Sequence, residues 1–415
     1  AGSGTLTLSG TNTYTGETTI NGGGILQVRN SAALGAGDVH VANGRLKVDP
    51  DLTDGLEIKV GGNYFQDADG ALELGIGGSN SASNQFDRVT VAGNAELDGT
   101  LHITSFNNYK AKHSDQFDLI VATNGVTGTF STFTNDIDHS VLLSPELKYS
   151  DDRVTLVWEH MSFRDFLASS NVTLTVNQQS VATALDSILT STDTNDIALI
   201  HHLDYQDDLT NSLPKSFDLI GPEELTAMMV ASFAAMDAQG IQFRKRVNEL
   251  HADYQRFYQE TVSRRAQSKE AFDRYVTRPW NVYFELPFNS ASVSGDDNAS
   301  GYDLSVNGFS LGADRRIAPE IIVGGAINYF STSGDLIDGG VADMTTVSAQ
   351  VYGTWFTPEG LHVEGMLGGA INSYDTRRQS IGGFASGDTE GFGVTALLGG
   401  GYNREYGPWQ FGPSF

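Results

Sequence analysis

Gly308-Phe309-Ser310-Leu311-Gly312 spells G-x-S-x-G, the pattern of a nucleophile elbow. An elbow needs a buried strand before the serine and a helix immediately after it, because the sharp turn is what exposes Oγ. Here the alternating pattern runs on through Ala313 and Asp314, so Ser310 reads as a strand residue. Asp67-Ala68-Asp69-Gly70 opens like a calcium loop. The later ligands and the terminal Glu are missing at the required spacing, and a polar turn explains the run. His201 and His202 are neighbours; on a helix they face different sides and cannot form the i, i+4 pair of a zincin. Lys110, Lys112 and His113 make a small basic spot, read as a solvated loop. There is no P-loop and no Rossmann glycine pattern, so no nucleotide site is expected. No catalytic, cofactor-binding or metal residue is assigned, and the chain is not read as an enzyme.

A different set of ionisable residues has a stronger context. Glu285, Asp303, His362 and Glu364 lie on long alternating strands between Trp280 and Phe415. Val347, Ala349, Val351, Gly353 and Trp355 alternate with Thr346, Ser348, Gln350, Tyr352 and Thr354, and period two means strand. One face is apolar and ends in an aromatic; the other is polar. Trp280, Val282, Phe284, Leu286 and Phe288 likewise oppose Asn281, Tyr283 and Glu285. Strands of about ten residues or more with such faces suit a membrane barrel with a wet lumen. A soluble sandwich would show strands of about five or six residues. Charges on the lipid face cost several kcal/mol near the midplane, which places Glu285, Asp303 and Glu364 in the lumen.

The run "GFSLGADRRIAPEIIVGGAINYFSTSG" (308–334), after "RPWNVYFELPF" (278–288), resembles the C-terminal β-domain of bacterial autotransporters. The core of that resemblance is Gly308, Gly312 and Asp314, followed by "VGGAINY". Upstream, "GTLTLSGTNTYTGETTINGGGILQV" (4–28) resembles the strand repeat of autotransporter passengers. Leu6, Leu8, Tyr14, Thr19, Ile20, Leu26 and Val28 are expected to stack inward, with glycines at the corners. The resemblance implies a one-chain secretion system of the Gram-negative outer membrane. It also implies dependence on periplasmic chaperones and the barrel-assembly machinery.

The totals agree with a multidomain β-rich protein. At 415 residues the chain exceeds one ordinary core. It has no cysteine, which removes disulfides and thiolate metal sites. A formal charge of −26 argues against nucleic-acid binding, which needs a basic footprint. Gly stands at 47 residues against 10 Pro, favouring repetitive β-structure. No stretch of about twenty apolar residues is present, so no transmembrane helix is expected.

Residues 1 to 160 read as short strands every eight to twelve residues, which fits a solenoid or a sandwich. The drifting repeat favours a right-handed parallel β-helix, and Ala95–Phe130 resembles the last rungs that cap autotransporter passengers. Helical spacing starts near Phe163, with Val181, Ala184, Leu185 and Ile188 in one piece and His201-His202 in another. Gly221-Pro222-Glu223-Glu224 reads as a helix start, and the helix continues to about Tyr275 with Gly240 as a possible kink. Phe243, Val247, Leu250, Tyr254 and Phe257 form its stripe, with Arg244, Asn248, His251 and Gln255 off it. By the resemblance, its later part threads the pore, and Arg244, Lys245, Arg246, Arg256, Arg264, Arg265, Lys269 and Arg274 answer lumen acids such as Glu285, Asp303 and Glu364. The whole helix would be near 80 Å at about 1.5 Å per residue, so part must bend or lie outside a membrane about 40 Å thick. Some relatives cut themselves here through paired Asn; this chain has Asn248 alone in "RVNEL", and no such cleavage is expected.

The fold expected is thus mainly β: a right-handed parallel β-helix (1–160), a helical linker (161–278) whose later part is a pore helix, and the N-terminal half of a transmembrane antiparallel β-barrel (279–415). About six strands are expected from Trp280 with a seventh begun near Trp409, the parent protein continuing at both ends. The function expected is an outer-membrane translocator that exports and anchors its own passenger at the cell surface. Outer-membrane lipid is its medium, no cofactor is needed, and no nucleic acid or surface ligand is assigned. The alternatives are an adhesin or stalk in which the barrel is only an anchor, and an exported enzyme using Ser310.

Overall fold

The computed structural model describes residues 2–80, 84–221, 225–263, 280–296, 298, 301–336, 339–402, 404–406 and 409–412. It divides into two units, residues 1–174 with 179–215 and residues 175–178 with 216–415.

The first unit is built by repetition. β1 (Thr5–Leu8) is followed by β2 (Thr18–Ile20) and β3 (Gly24–Val28). Three full turns come next: β4 (Val39–Val41), β5 (Gly44–Val48) and β6 (Glu57–Val60); β7 (Tyr64–Gln66), β8 (Ala71–Ile76) and β9 (Arg88–Val91); β10 (Asn94–Leu97), β11 (Thr100–Ser105) and β12 (Gln116–Ala122). β13 (Gly125–Gly128), β14 (Thr132–Asn135), β15 (Leu143–Tyr149) and β16 (Arg153–His160) complete it. Corresponding strands stack in parallel, in the orders β1-β3-β5-β8-β11-β14, β2-β4-β7-β10-β13 and β6-β9-β12. This is a β-solenoid.

Its core follows from register. Leu26, Leu46, Leu72 and Leu101 are successive partners, and all are buried. Ile58, Val89 and Ile120 stack the same way on another side. The expected inward set holds for Ile20, Leu26 and Val28, but Leu6, Tyr14 and Thr19 are exposed. Thr19 lies between Thr18 and the buried Ile20 in β2, so alternation turns it outward. Corners are equally specified: Gly99 has φ 65°, and a Cβ there would sit 2.3 Å from the Gly70 carbonyl oxygen. The buried Gln66 amide donates to the Asp98 oxygen at 2.7 Å and accepts from the Tyr64 hydroxyl at 2.7 Å. At the end the sense reverses, because β12 pairs antiparallel with β16 and β16 with β15. A hairpin thereby covers the sheet edge.

The helices are α1 (Phe163–Ser169), α2 (Val176–Ser187), α3 (Thr194–Asp204), α4 (Leu209–Ile220) and α5 (Thr226–Ser263). Ser162 caps α1 by accepting from the Asp165 amide at 3.1 Å, and Asp186 of α2 accepts from the Phe163 amide at 2.8 Å. The segment expected as a separate linker is instead shared: α1, α3 and most of α2 belong with the solenoid, and α5 with the strands that follow. α5 runs through Gly240 without a break. Its 38 residues span about 57 Å. The proposed start at Pro222-Glu223-Glu224 and the cations Arg264, Arg265, Lys269 and Arg274 lie outside the described residues.

The second unit carries β17 (Asn281–Glu285), β18 (Phe288–Val293), β19 (Tyr302–Ala318), β20 (Ile321–Asp335), β21 (Val341–Phe356), β22 (Leu361–Ser380) and β23 (Gly383–Tyr402). They form one antiparallel sheet in that order, β17 and β18 sharing β19 as partner and acting as one interrupted strand. A short pair, β24 (Arg404–Tyr406) with β25 (Trp409–Phe411), lies beyond it. β19 to β23 are 15 to 20 residues long, where a tilted membrane strand needs about 9–11.

One face of this sheet is uncovered and apolar. Phe309, Tyr329, Val347, Ile371 and Phe392 are register neighbours across five strands, and all are exposed. Val351, Leu367, Trp355 and Val363 continue the band. Ile321 to Tyr329 covers eight residue steps, about 27 Å at roughly 3.4 Å per step, which a tilted strand brings to the roughly 25 Å of a lipid-facing belt. No helix among the described residues is long and apolar enough to cross a membrane; the strands supply the apolar surface.

The ladder makes a quantitative prediction. Leu72 is 0% exposed at the centre of its stack, so Leu72→Ala should lower stability by about 2–5 kcal/mol. Lys47→Ala on the outer side should change it by less than about 1 kcal/mol. Denaturant midpoints followed by circular dichroism distinguish the two.

Candidate functional site

α5 lies along the other face of the sheet. Its first half approaches through small residues: Ala231, Ala234, Ala235 and Ala238 pack on Leu304, Val306, Phe330 and Met344. Its second half uses large ones, with Phe243, Val247, Leu250 and Tyr254 on Ile322, Tyr352, Phe356 and Met366. The expected stripe is therefore the packed face. His251, expected off it, is buried as well, stacked on Phe356 at 4.8 Å and 5.1 Å from the His362 ring.

Polar contacts tie the helix to the wall at regular intervals. The Ser232 and Tyr374 hydroxyls are 2.7 Å apart. Gln239 Nε2 donates to Gln350 Oε1. Arg246 Nε donates to Asp314 Oδ2 at 2.8 Å. Positions 232, 239 and 246 are each seven apart, about 10.5 Å along the axis and nearly the same helix face.

The third contact is the most elaborate. Arg246 is 7% exposed and Asp314 2%. Tyr352 also donates to Asp314 Oδ2, at 3.1 Å. The Arg246 guanidinium lies 4.6 Å from the centre of the Tyr283 ring and reaches Glu249 at 3.0 Å. Both tyrosines lie over glycines: a Cβ on Gly312 would fall 2.2 Å from Tyr283 Cζ, and one on Gly324 would fall 2.6 Å from Tyr352 Cζ. Any larger residue would push the rings off the pair. Beside it, Lys245 Nζ stands 3.1 Å from Glu285 Oε1.

The sites expected from sequence are distributed unevenly. Arg246 and Glu285 lie at the helix–wall contact. Glu364 is on the wall face and half-buried, with no salt bridge to α5 among the described residues. Arg244 is on the exposed side of α5. Asp303 requires correction: it is exposed while its neighbour Leu304 is buried. In β19 the even-numbered Leu304, Val306, Ser310 and Asp314 face the helix, so parity puts Asp303 on the opposite face, at the strand end beside Asp335. The carboxylate that sequence reasoning missed is Asp314. It shares parity with Gly308 and Gly312, while Phe309 and Leu311 hold the apolar side. Ser310 sits in mid-strand in β19, and Asn248 is exposed on α5.

A charged helix on the polar face of a long-stranded sheet, with a lipid-compatible belt behind it, defines an outer-membrane β-domain, here preceded by a solenoid. The comparisons agree on both parts. Residues 288–415 match the family model of the autotransporter beta-domain, and residues 1–28 that of the passenger-associated-transport-repeat. No curated protein and no solved structure matches the chain. The chain thus carries the autotransporter arrangement of passenger repeat and β-domain, the β-domain in the outer membrane and the passenger at the cell surface.

Removing either member of a buried ion pair strands the other, at a cost of about 3–5 kcal/mol. Arg246→Ala or Asp314→Ala should therefore expose α5 to protease in the detergent-folded chain. The double variant should lose less than the sum of the two. Arg246→Lys should also weaken the lock, since an ammonium lacks the planar fork. Cleavage rates within α5 check all four.

Proposed function

We propose that the β-domain exports the solenoid of its own chain and then anchors it at the surface, with α5 remaining along the lumen wall as tether and plug. The observation that carries this reading is the seven-residue series of polar contacts between α5 and the wall, set behind an apolar belt. A chain segment that stays in a wet pore needs polar partners on the wall, whereas the lipid side needs none. The chain has no nucleotide-binding motif, and folding of the passenger outside supplies the direction. Each solenoid turn buries the edge of the one before it, so a segment once folded does not slip back.

The partners follow from the same reading. Outer-membrane lipid covers the belt, periplasmic chaperones keep the unfolded chain soluble, and the barrel-assembly machinery inserts the strands. The domain acts by transport and anchorage and carries no catalytic site of its own.

The test uses intact cells of a Gram-negative host. An epitope in the solenoid should be shaved by external protease, and the β-domain should shift on gels between unboiled and boiled samples. Val351→Arg with Leu367→Arg puts two charges on the belt, each costing about 2–4 kcal/mol near the bilayer midplane. That variant should lose both signals. A wild-type protein recovered in the soluble fraction, without a heat-dependent shift, would sink the proposal.

A further inference from the structure

The first unit contains a partly buried histidine cluster that export does not use. His160 closes β16, and its Nε2 lies 2.8 Å from Asp204 Oδ1 of α3. Its Nδ1 faces the Met161 carbonyl oxygen. Both neighbours present oxygen atoms to the ring. The two side chains are 4% and 0% exposed.

His113, from the loop between β11 and β12, meets this ring edge to face with centroids 6.0 Å apart. Both His113 nitrogens are buried without a hydrogen-bond partner, as are His201 Nδ1 and Asp204 Oδ2. Just past α3, the Tyr205 hydroxyl donates to the Ala111 carbonyl oxygen at 2.8 Å. Lys110 lies 4.9 Å above the Tyr205 ring and 3.3 Å from Asp138. The run read from sequence as a solvated basic loop is thus the seat of α3, with Lys110 and Lys112 exposed and His113 partly buried.

The charges around His113 are mixed. His160 faces it from β16, His201 and Asp204 from α3, and Asp115 from its own loop. Lys112 and Lys110 act on His201. Asp204 is engaged by His160, and the Asp115 carboxylate is engaged by the Tyr109 hydroxyl. No group of three or more His, Cys, Asp or Glu among the described residues is arranged to hold a metal ion. The ligand suited to this cluster is the proton.

We propose that His113 is the proton switch of an acid-released latch that fastens α3 to the last turn of the solenoid. Neutral, it is a ring-shaped filler against His160. Protonated, it places a positive charge against the His160 ring with no hydrogen-bond acceptor on either nitrogen, and α3 comes away.

Burial, and then His160, hold His113 below the ordinary histidine value, with Asp204 and Asp115 opposing. A base depressed in the folded state gives stability that is present above its unfolded value of about 6.5 and is lost as pH falls from there. His201 is lowered too, by burial and then Lys112. Asp87 in the solenoid runs the other way: burial pushes it up to about 7 against two backbone hydrogen bonds. Acid relieves that cost, so the strands near Asp87 should not lose protection in acid, and a loss in α3 itself is not a general weakening of the solenoid.

The experiment is hydrogen exchange on the full chain at about pH 7.5 and about pH 5, corrected for intrinsic rates. Protection of residues 194–205 should fall about tenfold or more in acid relative to β8 and β11, the equivalent of one pKa unit of differential protonation. His113→Phe keeps a ring and gives up no hydrogen bond, so it should hold α3 closed at both pH values. His113→Asn, a second non-titrating variant, should give the same flat response should Phe prove too bulky to fold. Equal protection of α3 at the two pH values in the wild type would overturn the latch. So would an acid loss that persists in the folded His113 variants.

Discussion

A backbone amide inside lipid has no water to bond, and each unsatisfied group there costs several kcal/mol. That constraint governs the second unit. It requires ladders without gaps, and β19 to β23 pair along nearly their whole lengths. A fully paired strand still has only two faces, and in a membrane they meet different solvents. The apolar series from Phe309 to Phe392 and the polar series from Ser310 through Asn328 to Ser348 are two readings of the same strands. The Asn328 side chain donates to Ser348 Oγ at 3.0 Å, so the polar face also supplies its own partners.

α5 must then be held against a surface that is polar but sheltered. Hydrophobic burial alone gives weak register, because an apolar stripe can slide along an apolar groove. Arg246 and Asp314 solve this differently. A buried pair earns little net stability against an apolar alternative, yet it penalises any arrangement that separates the charges. Tyr283 and Tyr352 shield and complete the pair, and Gly312 and Gly324 leave room for them. The wall glycines and the helix cation thus belong to one device, although they lie about seventy residues apart in the chain.

Much of this was legible in the sequence. Alternation identified the long strands and their two faces, because each side chain's direction is set by parity alone. Charge alone does not place Asp303: its exposed position beside buried Leu304 follows from parity, and so does Asp314 on the helix side. Repeated short strands announced the solenoid, but Leu6 and Thr19 show that β-propensity does not tell inward from outward in a strand of three or four residues. The division of the helices between the units was not legible. It depends on contacts such as His160 with Asp204, 44 residues apart, and local pattern carries no record of them. His113 follows Lys110 and Lys112 closely and reads as solvated for the same reason.

The two units therefore hold together by different physics. In the solenoid each turn repeats the last, stacking leucine on leucine, and its stability accumulates with length. The terminal turn has no successor, and its exposed edge would remain a pairing template. β16 and β15 cover it by reversing strand direction. The reversal has a consequence for the helices: it brings the chain back to His160 at the end of β16, directly before α1. The point where the parallel stack stops is thereby also the point where α3 is seated, so the edge that closes the solenoid and the surface that receives the helix are produced by one hairpin.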